Sequence, residues 1–132
     1  MRACAAAFVS RVTARSRLPL DYSVRSMRIV DFLIDGLRKG GADRESARDT
    51  LIGLGAYVGE VLVRRAGAVW ADFDTEQRAY FGQRVGVRMP DGRLWNPLGK
   101  VLNRFGTGGA DESLQLFYLT LHGRRQVGGR TF

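Results

Sequence analysis

The chain has 132 residues, of which 45% are hydrophobic and 26% are charged, and these values fit a single globular domain with an ordinary core. No apolar run approaches the ~20 residues that a membrane-spanning helix needs. One cysteine, Cys4, excludes an intrachain disulfide. The composition therefore favours a cytoplasmic protein without a membrane span, and it excludes a disulfide-built secreted domain.

Most of the net charge of +8 lies at the two ends of the chain. Residues 1–20 contain four arginines and no acidic residue, and residues 124–132 contain three arginines. The segment between them holds 14 basic and 13 acidic residues. Basic ends attract phosphate whatever its sequence context, whereas a nearly neutral body argues against a broad basic binding face. Only two of the 21 basic residues are lysines, an arginine-rich bias typical of GC-rich codon usage.

The charge pattern divides the chain into three parts. Residues 1–20 resemble a signal or transit peptide only vaguely, because their apolar core, Ala3 to Val9, is short and Arg11 follows it closely. We predict instead a disordered leader, or a start site assigned upstream of the true one. Residues 21–123 are predicted to form a single α+β domain, and residues 124–132 a basic tail.

Two helices are predicted to open the domain. Apolar residues at spacings of three and four predict a helix over Ser23 to Lys39. Asp43 is a predicted N-cap for a second helix. The apolar half of this helix contains three glycines: Gly53, Gly55 and Gly59. Since a glycine inside a helix costs about 0.5–1 kcal/mol relative to alanine, we expect other elements of the domain to pack closely against it.

Strand patterns follow the second helix. Alternating side chains predict strands over Ala68 to Phe73 and Val85 to Met89. Pro90-Asp91-Gly92 predicts a tight turn into a third strand, Arg93 to Trp95, and therefore a hairpin. The segment between the first two strands, Thr75 to Arg84, is compatible with a short helix or a loop.

Two further helices are predicted at the C-terminal end. Asn96 is a predicted N-cap with Pro97 in the first turn, and Asp111 is expected to cap a last helix that runs to about His122. The predicted fold class is α+β: a single domain with two helices, a three-stranded antiparallel sheet with a hairpin, and two C-terminal helices.

Glu60 is a candidate functional residue because it lies among apolar neighbours in the central helix. Burial would raise the pKa of its carboxyl and suit it to acid–base chemistry. The sequence places no second carboxylate beside it, and Arg64 follows four residues later in the favourable orientation. We therefore favour a structural ion pair between Glu60 and Arg64.

Two tryptophans, Trp70 and Trp95, fall on predicted strands of the same sheet. Exposed together, they would mark a recognition surface, because tryptophan is enriched in interface hot spots. Two tryptophans packed in the core are the more common arrangement.

Asn96, Gly99 and Lys100 place a helix N-terminus, a glycine and a cation close together. Backbone N–H groups at such a site can hold a phosphate or a carboxylate. The P-loop frame is absent, since Val101 follows Lys100. A capped helix with an exposed lysine is therefore the simpler interpretation.

The sequence assigns no catalytic residue, metal ligand or cofactor site. With one histidine, His122, and one cysteine in the predicted leader, neither Cys–His catalysis nor a zinc cluster is expected. Three alternating acidic residues offer oxygen ligands to a divalent ion: Asp72, Asp74 and Glu76. The spacing fails as an EF-hand, because glutamines occupy its sixth and twelfth positions.

A further pattern comprises Trp70, the Pro90-Asp91-Gly92 turn and three segments: GAYVGEVL at Gly55 to Leu62, NPLGKVLNR at Asn96 to Arg104, and DESLQLFY at Asp111 to Tyr118. In these residues the chain resembles a group of small uncharacterised bacterial proteins with a glycine-rich helix, a short sheet and an N-P-x-x-K-V segment. The resemblance covers about Asp21 to His122 and implies a compact bacterial domain. It implies no activity and no functional residue.

These observations favour a non-catalytic protein-interaction domain over an enzyme, with no identified partner and no assigned oligomeric state. Its candidate contact or anion-binding residues are Trp70, Trp95, Asn96, Gly99, Lys100 and Glu60. One alternative is a nucleic-acid-associated protein that acts through its basic ends. The other is a divalent-metal-dependent enzyme that uses its acidic residues.

Overall fold

A computed structural model describes residues 1–16, 18–108, 113–115, 117 and 118. Within these residues the chain forms five helices and one three-stranded antiparallel sheet, which confirms the predicted α+β domain. The elements follow in the order α1 (Arg2–Ser16), α2 (Met27–Lys39), α3 (Arg48–Ala66), β1 (Val69–Asp72), α4 (Thr75–Phe81), β2 (Val85–Arg88), β3 (Leu94–Trp95) and α5 (Pro97–Thr107). The predicted order is matched only roughly, because α1 and α4 are additional helices.

Helix α1 occupies most of the segment for which the sequence predicted a disordered leader. Its apolar residues recur at helical spacing: Ala5, Phe8, Val9 and Val12. Ala5 and Phe8 are fully buried. The Phe8 ring packs over Gly53 of α3, where a β-carbon would lie only 2.5 Å from it. This apolar stripe, and not the charge of the segment, explains why the helix docks.

Helix α2 begins at Met27 and not at Ser23. The residues before it form a turn in which Ser26 Oγ donates to the Ser23 carbonyl at 2.6 Å. The same hydroxyl shares a 2.6 Å hydrogen bond with the Tyr57 hydroxyl of α3. The buried side of α2 matches the predicted stripe at Met27, Val30 and Ile34.

Helix α3 is the structural centre, because α1, α5 and the sheet all pack against it. Its three interior glycines face three different elements: Gly53 faces Phe8 of α1, Gly55 faces Leu98 of α5, and Gly59 faces Trp70 of β1. The expected close packing around this helix is therefore present. The helix starts at Arg48, later than predicted, and Asp43 instead accepts a 2.7 Å hydrogen bond from the Ser46 N–H in the preceding turn.

The three strands pair in the order β1-β2-β3. Trp70 of β1 and Trp95 of β3 both lie opposite Val87 of β2, so these three side chains share one face of the sheet. The predicted turn joins β2 to β3: Gly92 has a φ of 88°, and its N–H donates to the Met89 carbonyl at 2.9 Å. The sheet thus presents one tryptophan-lined face toward α3.

Two N-caps place the helices beside the sheet. The segment after β1 forms α4, whose N-cap Asp74 makes a reciprocal capping box with Gln77. Helix α5 begins as predicted, with Asn96 as N-cap and Pro97 as its first residue. Among the described helices, none has the length and apolar character needed to cross a bilayer.

The charged face of α2 ties the C-terminal part of the chain to the domain. Arg104 of α5 donates to both oxygens of Asp35 at 2.9 Å. Asp31 accepts from Ser113 Oγ and from the Leu114 N–H, both at 2.7 Å. The predicted last helix and the basic tail lie largely outside the described residues, although Leu114, Phe117 and Tyr118 are buried.

Candidate functional site

Glu60 lies inside the domain, with only 1% of its surface exposed. Its Oε1 accepts a 3.0 Å hydrogen bond from Trp70 Nε1, and its Oε2 accepts one of 3.0 Å from Arg64 Nε. Arg2 Nε lies 3.6 Å from Oε1. One carboxylate therefore connects α3 to β1 and to the start of α1. We call Glu60, Arg64, Trp70 and Arg2 the Glu60 cluster.

The environment of Glu60 does not suit it to acid–base chemistry. Burial raises the pKa of its carboxyl, but hydrogen bonds from Trp70 and Arg64 and the charges of Arg2 and Arg64 outweigh that effect. The pKa of Glu60 therefore lies below its usual value. A carboxylate that stays ionised at neutral pH is a weak base and a poor proton donor. The geometry supports the structural ion pair that the sequence favoured.

Trp70 fixes strand β1 on the central helix. Its six-membered ring lies directly over Gly59, so closely that a β-carbon there would overlap the ring. Its indole N–H is held by Glu60, one residue further along α3. The glycine and the glutamate therefore act together, one making room for the ring and the other orienting it.

Trp95 lies on the same sheet face as Trp70, yet the two do not form an exposed pair. Trp95 is only 5% exposed, and its ring meets the edge of Phe117 at a centroid distance of 5.3 Å. Trp70 is half-buried against α3. The shared face is thus an inward face, which supports the core interpretation of both tryptophans.

Asn96, Gly99 and Lys100 come together at the start of α5, apart from the Glu60 cluster. Asn96 Oδ1 accepts from the Gly99 N–H at 3.0 Å, and Asn96 Nδ2 donates to the Phe81 carbonyl at 3.0 Å. Lys100 Nζ lies 5.2 Å from the centre of the Phe117 ring. The cap therefore occupies the Gly99 N–H, and the arrangement is that of a well-anchored helix start.

The acidic residues after β1 also have a structural use. Asp74 Oδ1 accepts a 2.8 Å hydrogen bond from the Gln77 N–H as the cap of α4. Across the part of the chain that the structure describes, no group of three or more His, Cys, Asp or Glu side chains is placed to hold a metal ion. His122 lies outside that part.

Strand β1 has one side without a partner strand among the described residues, because it is an edge of the sheet. The Phe73 N–H donates to the Arg84 carbonyl, so in the alternating antiparallel pattern Ala71 and Val69 also bond toward β2. The backbone groups of Trp70 and Asp72 then point away from the sheet. Next to this edge, Val69 exposes 54% of its surface.

A groove between α3 and α5 is a site that the sequence alone did not predict. Its volume is about 540 Å³, and it is lined by Arg44, Glu45, Arg48, Leu51, Ile52, Gln83, Leu98 and Leu102. Its sequence signal is a pair of arginines four residues apart, followed three and four residues later by Leu51 and Ile52. This spacing places the positive charges and the apolar side chains on one side of a helix. The opposing wall of the groove comes from α5 and depends on tertiary packing.

Comparison of the chain with protein-family models, with curated proteins and with solved structures finds no match. A function for the chain is therefore inferred from the geometry described above.

Proposed function

We propose that this chain is a non-catalytic protein-interaction domain and that its partner adds a strand to the open edge of β1. The observation that carries the proposal is the outward-facing backbone of Trp70 and Asp72 at that edge. Unpaired strand edges recruit extended segments of other chains through main-chain hydrogen bonds. The Trp70 side chain, a candidate contact residue from the sequence, takes part by holding the strand in place.

The rigidity of β1 supports this proposal. Its Trp70 side chain is packed on Gly59 and bonded to Glu60, so the strand is held on both its β2 side and its α3 side. A rigid edge loses little conformational entropy when a partner strand pairs with it. The strand has only four residues, which suits a short partner segment.

The side chains beside the edge provide a place for specificity. Val69 points to the face opposite Trp70, because successive residues of a strand alternate. It is one of the few large apolar side chains among the described residues that are more than half exposed. Arg88 lies directly opposite Val69 on β2 and is exposed as well. A partner strand with an apolar side chain on the same face as Val69 would fit the edge, and Arg88 lies one strand further in.

The test replaces the outward-facing N–H of Asp72. Asp72→Pro removes that donor without touching the ladder to β2, since proline is tolerated where an edge N–H faces outward. Asp72→Ala is the matched control, because it removes the same carboxylate but keeps the N–H. We expect the proline variant to lose partner binding by about tenfold or more, and the alanine variant to retain it.

Partner binding is read by photo-crosslinking in cells of the source organism, with benzoylphenylalanine at position 69 of the full chain. The same group at Phe32, an exposed position on α2, serves as the positional control. The proposal predicts a protein adduct at position 69 that Asp72→Pro abolishes and Asp72→Ala does not. Equal adducts for both variants would overturn it. An adduct that a nuclease digests would favour the nucleic-acid alternative instead.

A further inference from the structure

The groove between α3 and α5 combines an apolar floor with a cationic end. Leu51 is almost fully buried and Ile52 is half-buried on the α3 side, and Leu98 and Leu102 form the α5 side. Leu98 also packs on Gly55, so the contact between the two helices forms the inner wall of the groove. The volume of about 540 Å³ falls within the range of about 300–1,000 Å³ that is usual for small-molecule sites.

The rim of the groove carries two guanidinium groups and one carboxylate. Arg44, Glu45 and Arg48 line it and are all exposed. The ion pairs found among the described residues include none of these three side chains. The rim therefore has an excess of one positive charge, and two planar donors that suit a carboxylate.

Arg48 and the apolar floor lie on one side of the same helix. Leu51 and Ile52 follow Arg48 by three and four residues, which places their side chains next to one another along α3. A ligand that met Arg48 with an anionic group would therefore continue onto Leu51 and Ile52 with its apolar part. This order of charge and apolar surface matches a molecule with one anionic head and an aliphatic body.

We infer that this groove is a binding site for a small anionic amphiphile, with a carboxylate head bound by Arg44 and Arg48 and an aliphatic chain on the leucine floor. The site is separate from the β1 edge, and it can be present or absent independently of the proposed function. Glu45 at the rim opposes the head group, so removing its charge should tighten binding.

The probe is octanoate, compared with octylammonium and octanol, which have the same number of carbon atoms and differ in the charge of the head group. Binding to the full chain is measured by isothermal titration calorimetry at low salt. We expect octanoate to bind at least about tenfold more tightly than octylammonium, because a charge-assisted pair is gained with one and repulsion with the other. Glu45→Gln should tighten octanoate binding.

Variants assign the binding to the groove. Arg44→Gln combined with Arg48→Gln should weaken octanoate binding by about tenfold or more. Arg25→Gln combined with Arg28→Gln is the control, since it removes the same net charge from exposed positions on and beside α2. Ile52→Trp should block the groove and reduce the affinity for all three probes.

Three outcomes would overturn the inference. Equal binding of octanoate and octylammonium would show that the rim does not select an anion. Equal loss in the two double variants would show that net charge, and not the groove, is responsible. Binding to vesicles of phosphatidylglycerol without binding of octanoate would assign the arginines to a membrane surface instead.

Discussion

Gly59 and Trp70 show how one residue determines the position of a strand. The indole ring occupies the space that any side chain at position 59 would need, and Glu60 holds the ring by its N–H. Gly36 is a useful contrast, because a β-carbon there would meet nothing within 4 Å. Two helical glycines in one small domain thus have opposite roles, one required by packing and one not.

We expect Gly59→Ala to lower the free energy of unfolding by about 1–3 kcal/mol, the usual cost of forcing extra atoms into a packed site. Gly36→Ala should raise it by about 0.5–1 kcal/mol, because alanine is the better helix former. Urea unfolding measures both. In a Trp70→Leu background the cost of Gly59→Ala should shrink, and an unchanged cost would contradict the role given to the ring.

Helix α1 is attached to the rest of the domain by few fully buried side chains. In the part of the chain that the structure describes, its fully buried residues are Ala5 and Phe8, and an ion pair joins Arg2 to Glu60. Phe8 rests in the space provided by Gly53 of α3. Because this terminal helix docks through a single apolar stripe, we expect it to open locally before the rest of the domain unfolds.

Phe8→Ala is therefore expected to release α1, with a loss of about 3 kcal/mol of docking energy. Hydrogen exchange measured by mass spectrometry should show lost protection in peptides from α1, while peptides from α5 stay protected. Phe32→Ala is the matched control, because Phe32 is 66% exposed on α2 and should change neither. Uniform loss of protection across the chain would contradict the local release of α1.

Elements that are stabilised by local hydrogen bonds were predictable from the sequence, and some other elements were not. The Pro90-Asp91-Gly92 turn and the Asn96 cap were readable because their hydrogen bonds join residues two or three positions apart. The capping box of α4, formed by Asp74 and Gln77, is equally local. It would have favoured the short helix over the loop for the segment Thr75 to Arg84. Helix α1 was not predicted, because a basic, acid-free terminal segment is typical of disorder, although its apolar residues recur at helical spacing.

The candidate site depended more on long-range packing. The Glu60–Arg64 pair was predictable from a spacing of four, but its bond to Trp70 crosses from a helix to a strand. Burial of the two tryptophans likewise depended on which sheet face meets α3. The groove shows the same limit, since its α3 wall is a helical pattern and its α5 wall comes from another part of the chain.

For the whole molecule, the pKa directions predict a stability maximum between acid and alkaline limbs. Among the residues that the structure describes, four carboxyl groups have a lowered pKa in the folded chain: Asp21, Asp43, Glu60 and Asp91. Since the unfolded chain binds their protons more readily, their stabilisation is present above the unfolded pKa of about 4 and is lost as the pH falls further. Acid also adds to a net charge that is already +8, which increases repulsion within the compact state.

On the alkaline side, the free energy of unfolding falls as the pH rises. Burial raises the pKa of the Tyr57 and Tyr118 hydroxyls in the folded chain. Their contribution is complete below the unfolded tyrosine pKa of about 10 and is lost as the pH rises through the folded values. The free energy of unfolding should therefore be highest between about pH 5 and 9, and should fall on both sides.

Two variants distinguish the acid limb from the alkaline limb of the stability profile. The free energy of unfolding of each variant is measured by urea unfolding at a series of pH values from acid to alkaline. Glu60→Gln should cost about 1.5–3 kcal/mol at pH 7, as for a lost hydrogen bond to a charged group, and should flatten the acid limb, because one of the groups that binds a proton on unfolding is gone. Tyr57→Phe should flatten only the alkaline limb. Each variant is the control for the other. If Glu60→Gln left the acid limb as steep as in the parent chain, the Glu60 cluster would not be a source of the pH dependence of stability in acid. If Glu60→Gln flattened both limbs, the change would reflect a general loss of structure.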